Sequence, residues 1–556
     1  MLGMCHDTGS TTADLIKRRV PPHQLPPIYN ASQTLLDDNV EGDLADKIAV
    51  HVEDETITYQ QLADQVNRLG NFLKAELGVR PESRVSLLLC DGPEFIVTFL
   101  GTIRIGAVAV PFSTMLLPAD YAYLLNDTRA PVLVADQAFL PMLASIAGAL
   151  EHLRHVLVVG DDKAAWAAVA GVDLLGYAES LASQSDVLGP AATSCDDAAF
   201  WLYTSGSTGK PKGAIHLQHD IYYAAHYLND FYGIGRNDLV YSASKLFFAY
   251  GLGNSLWLPL FAGAAVVLEA RRSEPAVVVS NISKYWPTRV FAVPTIYRAV
   301  AEYLASNGAH AEACRRVGRY YSAGEPLTKV LYEKWQQLTG REILTVLGST
   351  EALQGYVGAW PEMGSPASLG KVIPGYRAMI VDDDGHEVKQ GDPGVLMIQG
   401  DSIASAYWNR HAESKKSFRG EWLHTGDVVR EGDDHILWYV GRHDDMFKIA
   451  GQWVSPLDIE SVLASHDAVR EGAVVACEGN EGLTTMVAYI VLRAGVNGGQ
   501  EMETAIKDHL KAELPSYKCP REIRFLPEMP RSSTGKFQKF ILRDLYKTEM
   551  SERVTR

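Results

Sequence analysis

Tyr203-Thr204-Ser205-Gly206-Ser207-Thr208-Gly209-Lys210-Pro211-Lys212-Gly213 is the most informative stretch of the chain. The apolar run Phe200 to Tyr203 reads as a buried strand, and it empties directly into small hydroxyl residues, glycines and lysines. Glycines let backbone N–H groups come close to an anion, hydroxyls donate hydrogen bonds, and lysines supply charge. The segment therefore predicts a phosphate cradle at a strand end. A bare Gly-rich loop is more often flexible surface, but the dense Ser/Thr/Gly/Lys order here outweighs that reading. It is not a Walker A loop, because no Gly stands five residues ahead of a Gly-Lys-Ser/Thr.

Outward from this loop the pattern alternates between strand and helix. Thr58-Tyr59-Gln60-Gln61 predicts a capping box, and Leu62, Val66, Leu69 and Leu73 follow at helical spacing. Val85 to Leu89 predicts a buried strand, Phe95, Phe99 and Ile103 a helix, and Ala107 to Val110 a second strand. This βαβ order implies parallel strands covered by helices. Further apolar runs at 132–135, 156–159, 265–268 and 290–293 extend it. Near residue 370 Gly and Asp multiply and short strands crowd together at 378–381, 395–398 and 436–440. After Gly441 a smaller unit begins, with helices expected over 455–464 and 501–514 and strands over 473–476 and 486–491. The expected organisation is a loosely ordered tail (1–30), a large α/β domain of parallel-type sheets (31–440) with a β-rich subdomain (about 370–440), and a small mobile α+β domain (441–556).

Composition limits the function. The chain has 556 residues, 47% of them apolar, so sizeable cores are possible. A net charge of −16 argues against wrapping nucleic acid, though one nucleotide needs only a few local cations. The six cysteines are scattered without a C-x-x-C pair, which fits a reducing cytoplasm better than a disulfide framework or zinc site. The N-terminus lacks a signal-peptide core. Leu252 to Leu268, the most apolar stretch, contains Asn254 and Pro259 and reads as a buried helix followed by a strand, leaving no membrane span.

The phosphate-loop string resembles that of the adenylate-forming superfamily of acyl- and aryl-CoA ligases, luciferases and peptide-synthetase adenylation domains. Other segments agree in the same order. Ser322-Ala323-Gly324-Glu325-Pro326 resembles its adenine-contacting loop. Leu347-Gly348-Ser349-Thr350-Glu351 resembles the segment whose Thr meets the α-phosphate and whose Glu holds Mg²⁺. Asp427, in Trp422 to Asp427, resembles the ribose-binding Asp, and Arg442 its ribose-binding Arg. Asp444 matches the hinge about which the small domain turns. Lys448-Ile449-Ala450-Gly451 resembles the strip lining the CoA channel, with Ala450 where a second glycine is more usual. Lys536, in Pro530 to Lys536, matches the lysine that bridges carboxylate and α-phosphate.

The resemblance implies an acid–CoA ligase using ATP, Mg²⁺ and CoA. Thr204, Ser205, Gly206, Ser207, Thr208, Gly209, Lys210 and Lys212 would hold phosphates. Lys536, Thr350 and Glu351 would carry catalysis. Lys245 to Asn254 is similar to the corresponding segment of benzoate and hydroxybenzoate–CoA ligases, as are Asp91 to Glu94 and Trp453 to Pro456. By that likeness Ala249, Tyr250 and Gly348 face the acyl ring. The chain departs from those ligases at Leu258, Gln354 and Gly355, where Phe, His and a branched aliphatic are usual. Smaller or more polar residues there imply a wider pocket and an acid larger or more polar than benzoate. Loading a carrier-protein phosphopantetheine is the alternative thiol acceptor, and a nucleotide-binding regulator without activity is the alternative class. A homodimer is compatible with the sequence. Lys536, in a Ser/Thr/Gly loop, is also a candidate target for a lysine acetyltransferase, since acetylation removes its charge.

Overall fold

The computed structural model describes residues 25–204, 210–363, 368–449, 452–478, 484–531 and 537–554. Contacts divide the chain into two compact units, one of residues 1–378 with 397–424, the other of 379–396 with 425–556.

The first unit is built on two sheets. In one, the strands His155–Val159, Val132–Asp136, Arg84–Leu88, Val108–Pro111 and Ala198–Thr204 run parallel, and Asp173–Gly176 forms one edge. Ala198–Thr204 then turns back antiparallel into Lys212–Leu217, so the Ser/Gly/Thr/Lys segment connects a hairpin. Ala406–Tyr407 closes that edge. The other sheet is parallel through Ile343–Gly348, Arg319–Ser322, Arg289–Ala292, Leu239–Ser242, Ala265–Leu268 and Ile48–Val52. Antiparallel strands, Gly355–Gly358 at one end and Glu55–Thr58 at the other, flank this parallel block. The parallel strands read as unbroken apolar runs, and nearly every residue along them is buried, as parallel strands covered on both faces require.

The local signals act as expected. Thr58 Oγ1 accepts from the Gln61 N–H (3.2 Å) while Gln61 Oε1 accepts from the Thr58 N–H (2.9 Å), starting the helix Tyr59–Ala75. Leu62, Val66, Leu69 and Leu73 form its buried stripe. The stretch from Ala249 becomes a broken helix: α-turns at Ala249–Leu252 and Leu258–Phe261 flank a π-turn at Gly253–Trp257. Pro259, which has no N–H to donate, sits at the start of the last piece, where none is needed. The strand Ala265–Leu268 follows. Tyr29 and Asn30, placed by sequence in the tail, are buried: the Tyr29 N–H donates to the Thr193 carbonyl, and Asn30 Nδ2 to the Ile103 carbonyl.

In the second unit the strands Val469–Glu478, Thr484–Leu492 and Glu522–Phe525 form a sheet with helices on both faces. Ile459, Leu463, Ile506 and Leu510, from the helices Pro456–Ser465 and Gln500–Glu513, pack on one face with Ile490. Leu542 and Tyr546, from the helix Lys539–Val554, cover the other with Tyr489. The strands Trp422–Glu431 and Leu437–Arg442 pair antiparallel in another sheet, which also holds Pro393–Gln399 and Arg377–Val381. Residue 441, where the sequence changes character, lies inside this unit. Among the described residues no helix is long and apolar enough to cross a membrane.

Candidate active site

Thr204, Ser322 and Gly348 each stand at the C-terminal end of a parallel strand, the end at which open α/β sheets commonly bind ligands. Thr204 ends one strand and lies opposite Lys212 in the hairpin register. Ser205 to Gly209 fall outside the described residues. Lys210 Nζ lies 5.2 Å from the centroid of the Tyr123 ring, and Lys212 Nζ lies 4.3 Å from that of Tyr407. Tyr407 in turn donates its phenol hydrogen to Glu351 Oε1 at 2.6 Å. A cation from the phosphate loop and the carboxylate expected to hold magnesium thus meet on one aromatic side chain.

Glu351 sits in the single 3-10 turn Thr350–Ala352, which follows the strand Ile343–Gly348 and is capped by Ser349 Oγ. Each carbonyl of this turn takes a donor from elsewhere in the chain. Thr350 O faces His216 Nε2 at 2.8 Å, Glu351 O accepts from the Ala404 N–H at 2.7 Å, and Ala352 O accepts from Ser402 Oγ at 3.0 Å. Buried Leu353 then takes a left-handed φ of 69°, a conformation that costs energy for a branched side chain and is held by this surrounding network. Neither His216 nor Tyr407 was singled out from the sequence.

Ser322 closes the strand Arg319–Ser322, and its buried hydroxyl has no partner among the described residues. Gly324, at φ 87°, reverses the chain after Ala323, and Thr295 Oγ1 donates to Glu325 at 2.6 Å, ahead of Pro326.

The acid-pocket residues give a mixed result. Ala249 and Tyr250 are half-buried, and Tyr250 donates to the Tyr321 carbonyl (3.3 Å). Leu258 is fully buried. A side chain at Gly355 would place its Cβ 2.3 Å from Val346 Cγ1, so Val346 already fills that volume and the glycine opens no space. The widening expected at 355 is therefore corrected. Gly348 is likewise demanded by backbone, since a Cβ there would lie 2.3 Å from the Gln354 carbonyl oxygen. What remains distinctive is polar: buried Gln354 donates from Nε2 to Asn254 Oδ1 (2.8 Å), and Tyr232 donates to Gln354 Oε1 (3.4 Å).

Asp91 anchors the same region. Its Oδ1 accepts from the Leu246 N–H (3.0 Å), and Lys245 Nζ stands 3.8 Å from Oδ2. Burial raises the Asp91 carboxyl to about 6 despite the opposing attraction of Lys245. A carboxyl raised on folding adds stability below its unfolded value, ordinarily near 3.9, and loses it as pH rises through the folded value. Asp91→Asn keeps the acceptor for Leu246 but cannot ionise. Its stability relative to the wild type should thus improve as pH climbs from about 4 to about 7, by up to the order of 3 kcal/mol. Paired thermal melts across that range measure this, and a difference flat with pH would rule out the ionisation of Asp91 as its source.

In the second unit Asp427 and Arg442 lie opposite each other in the paired strands Trp422–Glu431 and Leu437–Arg442. Arg442 Nη1 donates to Asp427 Oδ1 and to the Thr425 carbonyl, each at 2.9 Å. Gly426, at φ 73°, permits this approach, since a Cβ would lie 2.9 Å from Arg442 Nη2. Tyr439 adds a 3.3 Å bond to the same carboxylate oxygen. Asp444 is exposed in the turn His443–Asp445. Lys448 lies in the strand Phe447–Ile449. Ala450, Gly451 and Lys536 fall outside the described residues.

Residues 36–408 match the family described as AMP-binding enzyme, and residues 458–536 match the AMP-binding enzyme C-terminal domain. The chain is 40% identical to a benzoate–CoA ligase of Thauera aromatica over 94% of its own length and 97% of the relative's. It is 37% identical to a 4-hydroxybenzoate–CoA/benzoate–CoA ligase of Rhodopseudomonas palustris, covering 93% of this chain and 94% of the other. Among solved structures, an anthranilate CoA ligase in complex with anthranoyl-AMP superposes with a TM-score of 0.85 at 35% identity, covering 94% of this chain and 98% of that one.

Proposed function

The chain belongs to the AMP-binding enzyme family, and from that premise we propose that it is an ATP-dependent acid–CoA ligase for aromatic acids of the benzoate type. It joins acid and ATP into an acyl-adenylate with release of pyrophosphate, then transfers the acyl group to the CoA thiol with release of AMP. The observation that carries this reading is likeness over nearly the full length to benzoate–CoA and hydroxybenzoate–CoA ligases.

The chemistry explains the parts. A carboxylate is a poor acyl donor, and a mixed anhydride with AMP has a far better leaving group. The obstacle is repulsion between an anionic acid and a polyanionic triphosphate, so catalysis rests on positioning and charge neutralisation. The hairpin connection with Lys210 and Lys212 receives the β- and γ-phosphates. Thr350 meets the α-phosphate. Asp427, held by Arg442, takes the ribose hydroxyls, and Ser322 to Pro326 border the adenine. Glu351 suits magnesium, which commonly takes one or two carboxylates and draws its other ligands from water and substrate phosphates. When bound, the ion supplies charge neutralisation at the phosphates. Lys536 bridges acid and α-phosphate, then leaves as the small domain turns about Asp444, bringing Lys448 and Gly451 to the CoA arm.

The preferred acid is a benzoate with a polar ring substituent. The support is Gln354, a buried amide where the benzoate ligases carry an imidazole, together with its Asn254 and Tyr232 partners. The test is acid-dependent ATP–pyrophosphate exchange, followed by CoA thioester formation, over benzoate, hydroxybenzoates, aminobenzoates, phenylacetate, cinnamate and short aliphatic acids. Exchange should occur with the benzoates, with kcat/KM highest for a hydroxy- or amino-substituted member. Plain benzoate ranking first would refute the substituent, and exchange only with aliphatic acids would refute the aromatic class.

A further inference from the structure

His216 lies in the strand Lys212–Leu217, just beyond the phosphate loop, and is fully buried. Its ring stacks on Phe200, centroids 4.9 Å apart and planes 13° from parallel. Nδ1 stands 2.7 Å from Asp220 Oδ2 and Nε2 stands 2.8 Å from the Thr350 carbonyl oxygen. A peptide carbonyl can only accept, so Nε2 carries the hydrogen of the bond to Thr350, and Nδ1 shares its bond with the Asp220 carboxyl group. The ring can neither rotate nor flip without losing a bond.

A buried polar pair is weak evidence for stability, because apolar residues of like volume commonly serve the fold as well. The orientation of this pair suggests another use. It ties the strand leaving the phosphate loop to the carbonyl of the residue beside Glu351. Asp220 does not depend on His216 alone: the Leu217 N–H donates to its Oδ2 (3.2 Å), and His219 Nε2 stands 3.0 Å from its Oδ1. His216 is thus the member of the cluster that reaches the turn.

We propose that His216 is a positioning residue for adenylate formation, holding the Thr350–Ala352 turn through the Thr350 carbonyl against the strand Lys212–Leu217. The proposal rests on the ligase reading above. Nothing reacts at His216; it fixes where Thr350 and Glu351 stand when nucleotide arrives. The effect belongs to the first half-reaction, in which the triphosphate must be aligned, and not to thiol attack on the finished adenylate.

Two amide variants separate the halves of the histidine. In His216→Asn the amide N–H₂ replaces Nδ1, facing Asp220, and the Thr350 carbonyl loses the imidazole donor and keeps only the Leu353 N–H at 3.1 Å. In His216→Gln it replaces Nε2, facing Thr350 and giving up Asp220. For each, acid-dependent pyrophosphate exchange is measured at saturating ATP, together with thioester formation from supplied acyl-adenylate and the melting temperature. H216N should lower the exchange kcat about tenfold, equivalent to roughly 1.4 kcal/mol of barrier, with KM for ATP little changed. H216Q should recover most of that loss, and thioester formation should hold in both. Equal losses in the two variants, no loss in H216N, or a matching fall in both half-reactions would each overturn the proposal. Should H216N fail to fold, H216Q decides alone, since a tenfold fall with the Thr350 donor retained contradicts it. Absence of exchange in the wild type would instead defeat the ligase reading.

Discussion

Replacing Lys536 by alanine is expected to lower acyl-adenylate formation by about a thousandfold or more, while thioester formation from supplied adenylate should stay within a few-fold. The asymmetry follows from electrostatics. Before the anhydride exists, a carboxylate must come within bonding distance of a phosphorus surrounded by anionic oxygens, and like charges that close repel strongly wherever water is excluded. A lysine between the two groups turns that repulsion into two attractions, and its worth is greatest as the new bond forms. Once the acyl-adenylate is made, the thiol attacks a carbonyl that is no longer anionic, and a cation between acid and phosphate has no further task. Single-turnover measurements of each half-reaction decide this. A parallel fall in both would show that Lys536 supports the fold or the CoA site and not the meeting of two anions. Lys536→Arg is a useful companion: it keeps the charge but places it on a planar fork, so a loss close to that of alanine would show that position matters beyond charge.

Local patterns were the legible part of the chain. The Thr58 cap, the stripe Leu62 to Leu73 and the strands at 84–88, 132–136 and 155–159 each depend on neighbours a few residues away, so spacing alone reveals them. The strand Lys212–Leu217 was not legible, because its residues alternate too weakly to mark a strand until they pair with Ala198–Thr204. Volume was misread at Gly355 for a similar reason. A missing side chain in the sequence looks like empty space, yet the packed interior supplies Val346 from the neighbouring strand. His216 and Tyr407 were missed because their partners lie 134 and 56 residues away, and nothing near either residue announces the contact. The adjacent histidines and aspartate at 216, 219 and 220 were the one available hint of a buried polar cluster.

Glu351→Gln is expected to slow adenylate formation by about a hundredfold and to raise the free Mg²⁺ needed for half-maximal rate. The substitution is close to a pure change of charge. Glutamine keeps a carbonyl oxygen for the Tyr407 hydroxyl, which meets Glu351 at 2.6 Å, and the Ala404 N–H still reaches the residue 351 carbonyl. The turn and its neighbours should therefore stay in place, and the melting temperature should move little. What is lost is the anionic oxygen that a small, reluctantly dehydrated cation prefers to a neutral amide. Tyr407→Phe supplies the opposite perturbation: it leaves the charge but releases one carboxylate oxygen, so its cost should be several-fold smaller and should respond less to added Mg²⁺. If E351Q kept the wild-type magnesium dependence, the metal would have to be held by phosphates and water alone. The carboxylate would then act through Tyr407 on Lys212, and Y407F would show the larger loss of the two.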